Sequence, residues 1–253
     1  MGFETLEQRR LLAGDVTAVL EDGRLIVRGD EAANALVITR DEGDRDALRL
    51  VPQSGTTVNG SADPLVVEGV LWGIDVQLGG GDDELQVLIA RVRRHITIDG
   101  GDRILVRGTR TSGDLTLLGG AGDDTIEVRK GITQGHLTLD GQAGNDTTTV
   151  LWQDVLNDLA VEDVVGASGV AVGNTRVEGV TRIVTGAAAD DVSLDFNRFS
   201  GGALVDTAGG PDRLQVVRTA VRGEETITAG DGDDDEERDL TLTWDFRTGP
   251  KAG

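Results

Sequence analysis

The chain has 253 residues, 37 of them glycine, and a formal net charge of −21, with 45 Asp and Glu against 24 Lys and Arg. This excess of acid argues against nucleic acid as a partner, because binding to phosphate depends on many cationic contacts. The sequence has no cysteine, which excludes disulfides and zinc–thiolate sites. It also lacks an apolar run of about 18 residues, so we expect no transmembrane segment.

The N-terminal segment, residues 3–14, reads F-E-T-L-E-Q-R-R-L-L-A-G. It resembles the LEPR-XLL type of segment, usually written F-E-x-L-E-x-R-x-L-L, that begins many predicted exported proteins of Planctomycetes. The matching residues are Phe3, Glu4, Leu6, Glu7, Arg9, Leu11 and Leu12. The resemblance implies export and an extracellular or cell-surface location, although no signal peptide can be read before it. In physical terms, residues 1–20 are expected to form a short helical cap over the first coil.

Between residues 21 and 67, aliphatic residues two apart indicate short strands. Leu25 with Val27, and Leu36 with Ile38, have the spacing that the later repeat shows. A second set fits the same spacing around a longer loop and consists of Leu48, Leu50, Leu65 and Val67. We therefore predict two coils in this region.

A repeat of 22 residues dominates the chain that follows. Its polar marker recurs at Asp124, Asp146, Ser168, Asp190, Asp212 and Asp234. Aliphatic pairs stand before each marker, as in Leu115 and Leu117, and after it, as in Ile126 and Val128. A third, shorter side contains Val155, Val177, Phe199 and Val221, with Thr133 one repeat earlier. One step, from Ile96 to Leu115, is 19 residues because a turn is three residues shorter.

This period is typical of a solenoid, in which stacked coils bury a face that no single coil could bury alone. We predict an all-β fold, a parallel β-helix of about ten rungs of about 22 residues, and the handedness of parallel crossovers favours a right-handed coil. The predicted organisation is a cap over residues 1–20, one solenoid domain over residues 21–246 and an unstructured tail over residues 247–253. Ten rungs would form a rod roughly 45 to 50 Å long.

The turns at the marker are rich in Gly and Asp, for example G-G-A-G-D-D-T-I from Gly119. They resemble the hemolysin-type (RTX) β-roll repeats, with the pattern G-G-x-G-x-D-x-U-x, and this resemblance implies Ca²⁺ binding. In β-rolls the motif repeats back to back, whereas here it occurs once per 22 residues. The candidate Ca²⁺ ligands are Asp82, Asp83, Asp123, Asp124, Asn145, Asp146, Asp231, Asp233 and Asp234. The alternative is structural, with each aspartate accepting backbone N–H groups and capping its turn.

The C-terminal region has two features that bear on assembly. The acidic run from Asp231 to Asp239 is expected to interrupt the last rung, and residues 240–246, L-T-L-T-W-D-F, then alternate like a final strand. That strand would either cap the solenoid or expose an edge that pairs with another chain. End-to-end assembly of copies is therefore one predicted interaction.

Enzymatic function has little support in the sequence. β-Helices with rungs of this length resemble polysaccharide-cleaving enzymes, but this chain has no Tyr and its three Trp and four Phe are scattered, so we expect no glycan binding. Phe199 occupies a core position. His95 and His136 stand at nearly equivalent places in their rungs without a nucleophile or metal motif around them. We therefore expect no catalytic residues.

The leading interpretation is a non-enzymatic extracellular or cell-surface structural protein, a β-solenoid rod that assembles into fibres or an envelope layer. Two alternatives stay open. One is a calcium-binding, adhesin-like module that folds when Ca²⁺ is present. The other is a β-helix polysaccharide lyase or glycosidase, which requires a lateral cleft where Asp and Arg converge.

Overall fold

The computed structural model describes residues 14–239, 244–245 and 249–250. Every regular element in these residues is a β-strand, and almost all of them belong to three long sheets. The coil makes about eight turns of about 22 residues each, which confirms the predicted all-β solenoid. The count of ten rungs was too high.

Three sheets form the sides of the coil, and most of their strands pair in parallel with the equivalent strand of the next turn. The parallel strands of sheet 1 are Arg24–Arg28, Gly73–Gln77, His95–Asp99, Leu115–Ala121, Leu137–Ala143, Leu159–Asp163, Thr181–Thr185, Ala203–Asp206 and Glu225–Thr228. Those of sheet 2 are Ala35–Arg40, Glu84–Leu88, Arg103–Arg107, Thr125–Arg129, Thr147–Leu151, Gly169–Gly173, Asp191–Asp195, Arg213–Val217 and Asp235–Asp239. Sheet 3 consists of Arg91–Val92, Arg110–Thr111, Ile132–Thr133, Asp154–Val155, Arg176–Val177, Arg198–Phe199 and Ala220–Val221.

The core is a set of aliphatic columns that run along the coil axis. Leu117 pairs with Leu139 and Leu139 with Val161, and all three side chains are fully buried. The columns arise because alternate residues of a strand face inward and the constant repeat keeps them in register. The shorter step is confirmed as well, since Ile96 pairs with Leu115. Phe199 lies in the core, as predicted.

The N-terminal end is covered by antiparallel strands, which corrects the prediction for this region. Arg24–Arg28 stacks directly on Gly73–Gln77, so the residues between them form no coil of their own. Instead, Leu48–Pro52 runs antiparallel to Ala35–Arg40, and Leu65–Val67 runs antiparallel to Leu48–Pro52. The predicted rung of Leu48, Leu50, Leu65 and Val67 was therefore wrong. Strands that lie parallel or antiparallel have the same apolar alternation, which is why the spacing misled.

The predicted helical cap over residues 1–20 is replaced, where the structure describes it, by a β-hairpin. Asp15–Glu21 pairs antiparallel with Arg24–Arg28 through a two-residue turn at Asp22 and Gly23. Both turn residues have positive φ, 48° and 77°, which is the geometry of the type I′ hairpin turn that Asp-Gly favours. The dipeptide was a readable signal in the sequence. The LEPR-XLL-like residues up to position 13 lie outside the described residues.

The C-terminal acidic run continues the stack, contrary to expectation. Asp235–Asp239 pairs in parallel with Arg213–Val217, because backbone pairing does not depend on which side chains the strand carries. Beyond it, Trp244–Asp245 pairs antiparallel with Gly249–Pro250. The rest of the predicted final strand and tail lies outside the described residues.

Candidate functional site

The marker aspartates form a column of buried and half-buried side chains at the corner between sheets 1 and 2, which we call the aspartate ladder. Its members are Asp83, Asp102, Asp124, Asp146, Asp190, Asp212 and Asp234. In it, a backbone N–H of one turn donates to a carboxylate of the next turn, as the N–H of Asp124 does to Oδ1 of Asp146 at 2.8 Å. Equivalent bonds of 2.7–3.0 Å join Asn34 to Asp83, Ser168 to Asp190, Asp190 to Asp212 and Asp212 to Asp234. Each such carboxylate ties two turns of the coil together.

The remaining predicted ligands lie on the outside of the same corner. Asp82, Asp123, Asn145, Asp231 and Asp233 are exposed, whereas Asp83, Asp124 and Asp146 are buried and Asp234 is half-buried. Two of the exposed residues repeat the ladder in solvent, because Oδ1 of Asp123 accepts the backbone N–H of Asn145 at 2.8 Å. Adjacent candidate ligands in one turn, such as Asp123 and Asp124, therefore have different surroundings.

This geometry matches the backbone-capping alternative, with one change: the N–H groups come from the neighbouring turn. Across the residues that the structure describes, no three His, Asp or Glu side chains converge into a group able to hold a metal ion. The ladder carboxylates instead stand singly, one per turn. Ca²⁺ binding by these residues stays a prediction.

Burial raises the pKa of several ladder carboxyls. It raises the pKa of Asp124 to about 7, with the charges of Asp146, Asp102 and Asp123 acting in the same direction. It raises the pKa of Asp83 to about 6, against the lowering effect of the Asn34 N–H that bonds to it. The Oδ2 atoms of both residues are buried without a hydrogen-bond partner among the described residues. Asp83 and Asp124 therefore keep their protons to a higher pH than an ordinary aspartate does.

One turn of the ladder has serine at the marker, and Asp163 supplies a buried carboxyl in that turn without accepting a backbone N–H from the described residues. Asp163 is 0 % exposed and lies five residues before Ser168, at the position that Gly141 occupies before Asp146 one turn earlier. A Cβ on Gly141 would stand 2.4 Å from Oδ2 of Asp146, so the two positions cannot both carry large side chains when the marker is aspartate. Serine at position 168 provides the space for Asp163. The marker spacing alone did not reveal this exchange.

Asp163 faces another carboxyl, that of Asp146. Neither oxygen of Asp163 has a conventional donor, since the Ser168 hydroxyl donates to the backbone carbonyl of Asp163 at 3.1 Å. Burial, and then the charge of Asp146, raise the pKa of Asp163 to about 7. The pKa of Asp146 is also raised, mainly by burial. A proton shared between the two carboxyls would satisfy both.

A second buried ladder, not predicted, lies at the corner between sheets 2 and 3. Its members are Thr109, Gln153, Thr175, Asn197 and Thr219, all buried. Oδ1 of Asn197 accepts the N–H of Thr175 at 3.0 Å, and its Nδ2 donates to the carbonyl of Val172 at 2.7 Å. These residues share the 22-residue spacing, which was the signal available in the sequence. Both ladders serve the stacking of turns.

The two histidines stand in one exposed column at the corner between sheets 3 and 1. Nδ1 of His95 lies 3.3 Å from a carboxylate oxygen of Asp114, and Nδ1 of His136 lies 3.1 Å from one of Asp158. All four side chains are about half exposed, so these pairs contribute little to stability. The column shows no nucleophile beside the imidazoles.

Comparisons with known proteins found no match to this chain. No family model matches the chain, and neither the curated proteins nor the solved structures yield a match. The described part of the chain contains no helix capable of spanning a membrane.

Proposed function

We propose that this protein is a non-enzymatic structural rod of a cell surface or extracellular layer. The observation that carries the proposal is the continuous stack of coils, in which the aliphatic core and both polar ladders repeat from turn to turn. Each turn is thereby joined to the next by sheet hydrogen bonds, packing and side-chain hydrogen bonds. Nine stacked strands give a column roughly 40 Å long, suited to holding attached groups at a set distance.

The covered N-terminal end bears on how such rods would assemble. The outermost strands there, Thr57–Val58 and Leu65–Val67, are two and three residues long. Short edge strands are poor templates for pairing with another chain. We therefore propose that the rod acts as a spacer and that assembly into fibres or layers, where it occurs, uses the opposite end or the sides.

Two measurements test this role. Antibody labelling of intact source cells should find the protein outside the membrane, and a wholly internal signal would contradict the proposed location. Negative-stain microscopy with sedimentation velocity should show either short monomeric rods or regular assemblies of rods. Particles of irregular shape and size would contradict the structural role.

A calcium-binding module is the second candidate, favoured by the unpartnered buried Oδ2 atoms of Asp83, Asp124 and Asp146. Ca²⁺ would supply the positive charge that these carboxylates lack. In that case chelator lowers the melting temperature and added Ca²⁺ restores it. An Asp82→Asn/Asp123→Asn variant separates the exposed column from the buried one, because only an exposed site loses Ca²⁺ in that variant.

The third alternative, polysaccharide cleavage, stays a prediction of the fold class. Incubation with a panel of acidic polysaccharides over a range of pH would reveal it through the release of shorter chains. Unchanged chain length throughout the panel would count against it.

A further inference from the structure

The cationic side chains of this acidic protein are concentrated on one of its three sides. We call this the sheet 3 side and define it as residues 89–95, 108–114, 130–136, 152–158, 174–180, 196–202 and 218–224. It holds nine Lys and Arg against five Asp and Glu, a net charge of +4, in a chain whose net charge is −21. The other sides therefore carry all of the excess acid. This segregation is not visible in the overall composition.

A groove runs along the outer face of sheet 3, parallel to the coil axis. One part has a volume of about 550 Å³ and is lined by Asp154, Leu156 and Arg176 among others. A second part of about 250 Å³ is lined by Arg91 and Arg110. The two parts share Ile132 and Gln134, so they form one channel. Glu178 also lines the larger part, which therefore carries two carboxylates and one arginine, whereas the charged residues of the smaller part are both arginines.

Arginines stand directly beside each other along this groove. Arg91 pairs in register with Arg110, and Arg176 with Arg198. Neighbouring strands are about 4.8 Å apart, so like charges at these positions repel each other. Arg91, Arg110 and Arg198 are exposed, and none has a carboxylate in ion-pair range among the described residues. Arg176 already pairs with Glu178, so an anion lying in the groove would offset the repulsion mainly at Arg91 and Arg110.

Two aromatic side chains stand at the corner between sheets 2 and 3, beside the sheet 3 strands but outside the residues that line the groove. Trp152 and Phe196 are 50 % and 47 % exposed, and their backbones are left-handed, with φ of 52° and 57°. The equivalent residue of the turn between them is Asn174, which accepts this conformation more readily. Ile89 and Lys130 occupy the same left-handed position in other turns, so the corner itself imposes this backbone and folding does not require an aromatic residue there.

Each of the two aromatic rings also has a cationic side chain beside it. Lys130 lies 5.4 Å from the centre of the Trp152 ring, and Arg218 lies 3.8 Å from that of Phe196. Trp152 and Phe196 are two turns apart, about 10 Å along the axis. This corner of sheet 3 therefore carries two exposed rings, each with a cation beside it.

We propose that the sheet 3 side binds an extended acidic polysaccharide along the coil axis. The arginines pair with its carboxylates or sulfates, and Trp152 and Phe196 stack against sugar rings. The expectation of no glycan binding rested on scattered aromatic residues, but the coil places these two in one column. The proposal is independent of the structural role above, because a rod that binds no glycan remains a rod.

The surface charge favours this ligand over nucleic acid. Nucleic acid carries a negative charge about every 1.7 Å and would be repelled strongly by the remaining sides. An acidic polysaccharide has a lower charge density and offers apolar ring faces to the aromatic residues.

Binding of the full chain to polygalacturonate and to dextran sulfate at low ionic strength tests the proposal, with neutral dextran and single-stranded DNA as controls. We expect binding to at least one acidic glycan, and the two probes distinguish carboxylates from sulfates. An Arg91→Gln/Arg110→Gln variant should bind about tenfold more weakly. The matched control is Arg103→Gln/Arg107→Gln, which removes two exposed arginines from sheet 2 instead and should keep its affinity.

Trp152→Asn supplies the second test, because Asn suits the left-handed backbone and should not lower the melting temperature. We expect it to weaken glycan binding severalfold, and unchanged affinity would overturn the stacking. No binding to either acidic glycan, or an equal loss in the sheet 2 control, would overturn the site. DNA binding as tight as glycan binding would overturn the ligand class.

Discussion

The replacement Asp163→Asn should stabilise the protein above neutral pH. The pKa of Asp163 rises from 3.8 to about 7 in the folded chain, so its ionisation costs the fold roughly 4 kcal/mol when complete. The folded protein keeps the proton to a higher pH than the unfolded chain does. Its stability therefore falls as the pH rises from about 4 through 7, and this loss is complete above pH 7.

Asparagine removes the charge and can donate an N–H to the carboxylate of Asp146. Because some of the cost is relieved by local relaxation and water, we expect a gain of about 2 kcal/mol in the free energy of unfolding at pH 8. At pH 5 the folded carboxyl is protonated while that of the unfolded chain is already largely ionised, so the gain should be smaller, about 1 kcal/mol.

Urea unfolding at pH 5 and pH 8 measures this difference, with Asp99→Asn, an exposed position, as the control for the lost charge. Chelator is present in all samples so that bound cations do not contribute. A variant less stable than the parent at pH 8, or an equal difference at both pH values, would refute the buried-carboxyl reasoning.

Three further substitutions test the stacking by urea unfolding. In Gly144→Ala the new Cβ would stand 1.8 Å from the carbonyl oxygen of Gly122, so we expect the free energy of unfolding to fall by more than about 3 kcal/mol. The control Gly169→Ala lies in a strand with ordinary contacts and should be nearly neutral. Similar losses in both variants would contradict the close approach. Asn197→Ala removes two buried hydrogen bonds between turns and should cost about 2–3 kcal/mol; an unchanged midpoint would show that the second ladder is dispensable. Leu139→Ala opens a cavity in the core column and should cost about 3 kcal/mol, whereas a loss below about 1 kcal/mol would mean that the columns are loosely packed.

The sequence predicted the fold of the middle of the chain more accurately than that of its ends. From Ile74 onward the repeat identified nearly every inward-facing residue, including Phe199, because one strand period and one repeat length explain them all. At the N-terminus the same alternation was read as a coil around Leu50, although the structure pairs Leu50 antiparallel with Ile38. Side-chain alternation does not record strand direction. The Asp-Gly turn at Asp22 was the local signal that could have corrected part of the error.

The sequence predicted where the candidate site residues lie along the coil, but not what each side chain contacts. The glycine- and aspartate-rich turns correctly located one corner of the coil. They did not show that Asp123 lies in solvent while Asp124 is buried, since adjacent residues in a turn need not alternate as they do in a strand. The contact of Asp163 with Asp146 was not predicted either, because it joins residues that are not equivalent in the 22-residue repeat.

By itself, the sequence determined that this chain coils with a 22-residue step and that Leu117, Leu139 and Val161 stack in a column. It could do so because a constant period admits one register that buries all aliphatic residues at once. Only the tertiary structure decided how the N-terminal end is covered and that Asp163 faces Asp146 across neighbouring turns. Those features depend on distances between side chains on different turns and on strand direction, and neither quantity is encoded in local spacing.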